Sequence, residues 1–69
     1  MPLGMIGTGI KRTIVKIGGR DKTKRFLESL GFVEGAEVYI VSELGGNMII
    51  NVKDSRVAID KDLARCIMV

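Results

Sequence analysis

Apolar and polar residues alternate along this chain on two different periods, and glycines separate the segments. From Lys11 to Ile17, Thr13, Ile14, Val15 and Ile17 are interleaved with Arg12 and Lys16. β-Branched residues in near-alternation predict a strand, which Gly18-Gly19 ends. The period then lengthens. In Asp21-Lys22-Thr23-Lys24-Arg25-Phe26-Leu27-Glu28-Ser29-Leu30-Gly31, Phe26, Leu27 and Leu30 fall on one helical stripe. Asp21 is the expected N-cap and Gly31 the left-handed residue past the C-terminus. Phe32 and Leu27 are placed to make the hydrophobic contact of a Schellman turn. After a turn at 33–36, with Gly35 at positive φ, the period of two returns. Val38 and Ile40 point inward from a strand over 37–42, and Gly45-Gly46-Asn47 forms a hairpin turn. Ile50 and Val52 point inward from a strand over 48–53. A tight turn at Asp54-Ser55, a strand over 56–59, a single helical turn capped by Asp60 and a closing strand over 66–69, with Ile67 and Val69 inward, complete the chain.

Five short strands at even spacing with tight turns predict a mostly β fold. The layout fits a small five-stranded, SH3-like barrel with one short helix after the first strand, in a single domain over residues 1–69. Closing the sheet would remove exposed edges. The stripe Phe26, Leu27 and Leu30 would plug the open end.

Length and inventory narrow the chemistry. Sixty-nine residues make one domain, near the lower size at which a core holds without staples. With one cysteine and no histidine there is neither an internal disulfide nor a Cys/His metal cluster. A lone thiol suits a reducing compartment. The N-terminus does not read as a signal peptide. The longest apolar runs, such as Val38–Val41 and Cys66–Val69, are far short of the roughly 20 residues that span a bilayer. The expected setting is therefore the cytoplasm, with no membrane-embedded part.

Catalytic signatures are missing as well. Gly4 and Gly9 have P-loop spacing, but Ile10 stands where lysine must follow. Cys66 has no base to activate it and reads as packing. Asp60 and Asp62 are the only close carboxylate pair, and a helix cap with a solvated neighbour accounts for them more simply than a hard cation does. The chain reads as a binding module, not an enzyme.

Its charge is uneven. Residues 11–25 carry seven cations against Asp21 alone, a net +6, whereas the rest of the chain carries −3. Such a segment suits an anionic partner, or is simply a solvated face with a charged edge strand. Lys22, Lys24 and Arg25 crowd the positive end of the helix dipole and weaken the helix, which suggests another use for them. Small barrels that bind nucleic acid pair basic grooves with exposed aromatics. With Phe26 and Phe32 assigned to the helix and its cap, Tyr39 alone is left for that role.

Taken together, Leu3-x-x-Ile6-x-x-Gly9, Thr13-Ile14-Val15-x-Ile17, Leu27-x-x-Leu30-Gly31-Phe32-x-x-Gly35-x-x-Val38 and Val57-Ala58-Ile59…Ala64-x-x-Ile67-x-Val69 resemble the ferrous iron transport protein A (FeoA) family from end to end. The resemblance implies an SH3-like barrel that serves as a cytosolic accessory of bacterial ferrous iron uptake. The implied partner is the system's large membrane transporter, which carries a cytoplasmic GTP-binding domain. The same barrel occurs as the C-terminal domain of iron-dependent repressors of the diphtheria toxin repressor type. There the loop after the first strand can lend ligands to a metal. Here that loop is Gly18-Gly19-Arg20-Asp21, so no metal ligands carry over, and iron or another divalent metal is implied by the family name alone. Asp60 also departs from the small or basic residue more usual at its position. The expected partner face is Arg20, Lys22, Lys24 and Arg25, with Tyr39. The remaining readings are a nucleic-acid-binding barrel, a metal-responsive regulatory module and a weak homo-oligomer paired through an edge strand.

Overall fold

The segment 11–17, which reads as one strand, is two. In a computed structural model that describes all of residues 1–69, β1 (Arg12–Thr13) pairs antiparallel with β3 (Glu37–Leu44), and β2 (Lys16–Ile17) pairs with β6 (Ile67–Met68). The chain changes sheets between them. Ile14 exchanges bonds with the turn before β3, donating to Ala36 O and accepting from Gly35 N, while Val15 N donates to Met68 O. Ile14 is 1% exposed at this corner and Val15 is 62% exposed. Alternation alone does not register such a bend, because the corner turns Val15 out to solvent.

The larger sheet has the order β1-β3-β4-β5, with β4 at Asn47–Val52 and β5 at Ser55–Asp60; β2 and β6 form the smaller one. The fold is thus an SH3-like arrangement of six strands instead of five. The expected closure of the sheet does not occur, since β5 pairs with β4 alone and keeps a free edge. Both hairpin loops hold two residues. Gly45-Gly46 joins β3 to β4, so Asn47 belongs to the strand. Lys53-Asp54, rather than Asp54-Ser55, joins β4 to β5, with φ of 49° and 61°. An extra residue at Val41 shifts the β3–β4 register between Ile40 and Ser42, and Gly9 N bonds Ile40 O there.

One cluster forms the core. Val38, Ile40, Ile50 and Val52 point inward as the alternation predicts, joined by Met48, Ile59, Ile67, Phe32 and Leu27. No polar side chain is buried. The N-terminal segment contributes a short 3-10 turn, Leu3–Met5, that buries Leu3 completely. It runs beside β6, where Met1 and Val69 exchange backbone bonds of 2.8 Å.

Candidate interaction surface

Gly18-Gly19 does more than end a strand. Gly19 has φ +90°, and a Cβ there would lie 3.3 Å from Cys66 Sγ and 3.4 Å from Thr23 Cγ2. Glycine therefore lets the chain leave β2 and start α1 (Asp21–Ser29) close against Cys66. Cys66 is half-buried just before β6, its thiol directed at Asp62 O at 3.7 Å.

The N-cap of α1 is Arg20, not Asp21, and no side chain caps it. Asp21 is the first helical residue, where its charge still favours the dipole. The C-terminus follows the expected motif closely: Phe32 N donates to Leu27 O and Gly31 N to Glu28 O, each at 3.0 Å, with Gly31 at φ +104°.

Leu27 is completely buried and Leu30 half-buried, but Phe26 is 49% exposed. The expectation that Phe26 plugs the barrel is therefore corrected. The buried stripe is Thr23, Leu27 and Leu30, spaced i, i+4, i+7, and adjacent residues on a helix point about 100° apart. That spacing was present in the sequence. Phe26 instead shares a face with Lys22, four residues earlier. The corrected position restores an exposed aromatic to the basic segment.

Arg20, Lys22 and Arg25 are exposed and Lys24 is half-buried. None of the four forms an ion pair; the chain's ion pairs are Lys11–Glu37 and Arg65–Asp62. The four do not form one patch. Residues two apart on a helix point about 160° apart, so Lys22 and Lys24 leave α1 on nearly opposite sides.

Tyr39 lies elsewhere. It is half-buried on the outer face of the larger sheet, opposite Asn51. There it lines a groove of about 270 Å³ with Lys11, Glu37, Asn51, Lys53 and Asp54. No α1 residue lines this groove. Its strand residues were legible as the outward partners of Val38 and Val52, but the alignment of Tyr39 with Lys11 depended on the pairing of β1 with β3. A second concavity, about 360 Å³, lies where Pro2 and Met5 face Met48 and Lys61.

No three carboxylate or thiol groups converge. Asp60 Oδ1 accepts the Leu63 amide at 2.8 Å as the cap of α2 (Lys61–Ala64), and Asp62 pairs with Arg65 at 3.2 Å. No helix is long and apolar enough to cross a membrane.

The FeoA domain family matches residues 1–69. The chain belongs to that family. A solved iron uptake regulatory protein, FeoA, is 37% identical over 100% of this chain and 93% of its own, with a TM-score of 0.90. A zinc complex of FeoA from Stenotrophomonas maltophilia, described as a prokaryotic SH3-domain protein, is 25% identical over 100% of this chain and 88% of its own, with a TM-score of 0.87. A manganese-dependent transcriptional repressor, 17% identical over 97% of this chain and 39% of its own, has a TM-score of 0.86 and shares the fold. Comparison with curated proteins gives no match. Membership of the FeoA family supports a role in ferrous iron transport.

Proposed function

We propose that this chain is a cytoplasmic regulatory module of ferrous iron uptake, acting by docking on the cytoplasmic GTP-binding part of the membrane transporter. The observation that carries the reading is the FeoA match over all 69 residues. The Stenotrophomonas FeoA is itself described as a candidate activating factor of ferrous iron transport. In this reading iron is the transporter's cargo, and the chain acts without a bound cofactor.

The docking face is assigned to Arg20, Lys22, Lys24 and Arg25, whose charges have no partner within the chain, with Tyr39 as a separate contact. The division of Lys22 and Lys24 between two sides of α1 favours a partner that wraps around the helix. The test is binding of the purified chain to the transporter's cytoplasmic domain. The double variant Lys24→Glu, Arg25→Glu should weaken binding roughly tenfold, and wild-type affinity should fall as salt is raised. Unchanged binding by the variant removes α1 from the assignment. No binding by the wild type refutes docking.

One observation favours a second reading, nucleic-acid binding: Phe26 is exposed on the same helix face as Lys22. An aromatic beside a cation is the unit on which single strands stack. Titration with a labelled oligonucleotide at low salt separates the two readings, because each neutralised phosphate steepens the salt dependence.

A further inference from the structure

The backbone ladder of the larger sheet ends at β5, and that edge has no partner. β5 pairs with β4 alone, and residues 55–59 make no backbone hydrogen bond to any other part of the chain. In an antiparallel ladder, bonded pairs alternate with unbonded ones. The Lys53-Asp54 loop is closed by the pair Val52–Ser55, so the amide groups of Val57 and Ile59 face β4. Those of Arg56 and Ala58 face the free edge. The side chains of Arg56, Ala58 and Asp60 share the outer face of the strand, and Val57 and Ile59 the inner one. The first three are exposed, Val57 is half-buried and Ile59 is buried.

An open edge is a template for another strand, and the residues of β5 specify which strand fits. Let β5 pair antiparallel with β5 of a second copy, Ala58 opposite Ala58. Arg56 of each copy then stands opposite Asp60 of the other, and Val57 opposite Ile59. The two-fold axis passes between alanines, whose small side chains accept Cα atoms about 5.5 Å apart. Opposite charges face each other on both sides of the axis, and Val57 gains an apolar neighbour. A register centred on Arg56 would set arginine against arginine, and one centred on Asp60 aspartate against aspartate. Asp60 caps α2 through Oδ1, which leaves Oδ2 for the arginine.

We infer that β5 is a self-association edge: two copies pair about Ala58 into an isologous dimer, joining their four-stranded sheets into one. Two short strands bury less than the roughly 1,200 Å² typical of stable complexes, so the dimer forms with rising concentration. It uses none of the α1 cations.

Sedimentation of the full chain from tens of micromolar to about 1 mM, a range that reaches weak association, tests the inference. The wild-type mass should climb from 7.5 kDa toward twice that value. Ala58→Pro removes an amide that β4 does not use, a position where edge strands tolerate proline, and should sediment as a monomer throughout with its β-sheet spectrum intact. Arg56→Glu sets glutamate opposite Asp60 at both ends of the pairing and should raise the dissociation constant about tenfold. It carries the test should the proline variant fail to fold. A wild type that stays monomeric over the whole range overturns the inference, as does a dimer whose affinity neither substitution changes.

Discussion

Residues 37–60 form a meander in which β3, β4 and β5 pair over nearly their full lengths. The remainder of the chain is tied by strands of only two residues, β1, β2 and β6, and by single side chains pressed into the same core, Leu3, Ile14, Leu27 and Ile67. The meander is held by neighbouring residues along continuous ladders. The other half depends on a few anchors, each contributed by a different segment of the chain. The net +6 of residues 11–25 lies in this second half. The cations of the proposed docking face thus sit on the part of the molecule with the fewest backbone constraints, where local opening costs least. What fixes them is the seating of α1.

Removing that anchor gives the largest expected effect. Leu27→Ala should cost about 2–5 kcal/mol, a large share of the roughly 3–10 kcal/mol expected for a domain of this length. Denaturant titration measures the loss. Hydrogen exchange should show α1 opening before β3–β5, and simultaneous opening would erase the contrast between the halves. Gly31→Ala should cost about 1–2 kcal/mol, measured as a lowered melting temperature. Its cause is backbone conformation rather than crowding, because the nearest atom to the new Cβ would be Lys53 Cδ, at an ordinary 3.5 Å.

The meander has its own weak point. Lys53 and Asp54 occupy positive φ without glycine, in a two-residue loop that favours Asn-Gly. The double change Lys53→Asn, Asp54→Gly should stabilise the chain by about 0.5–1 kcal/mol, and the same denaturant titration should show it. The smallest effect belongs to α1's first turn. Lys22→Glu should raise stability by about 0.3–1 kcal/mol by favouring the helix dipole, while weakening binding to the transporter domain. A variant that is more stable and also binds fully would separate Lys22 from the docking face.

Much of the architecture was legible because it is written in short-range signals. Gly31 and Gly35 adopt the positive φ expected of them, Asp60 caps α2, and the inward residues of β3 and β4 follow the alternation. Errors arose where the outcome depended on a distant partner. Asp21 looks like a cap because its carboxylate suits the role, yet the extended residue before the helix is Arg20. Phe26 looks like core by hydrophobicity, but the barrel accepts the Thr23–Leu27–Leu30 face and leaves Phe26 outside. Arg20, Lys22, Lys24 and Arg25 cluster in sequence, and the helix then distributes them around its circumference. Tyr39 lies away from α1, in a groove built from β3, β4, Lys11 and the Lys53-Asp54 loop.

By itself, the sequence determined the left-handed turns at Gly31 and Gly35, the Asp60 cap, the alternating core of the meander and the family, because each of these depends on residues within a few positions of one another or on the order of motifs along the chain. Only the tertiary structure decided where the first strand breaks, which side of α1 is buried, and that β5 keeps a free edge. Those outcomes depend on which segments meet across the core, and a residue's own neighbours carry no record of what will pack against it.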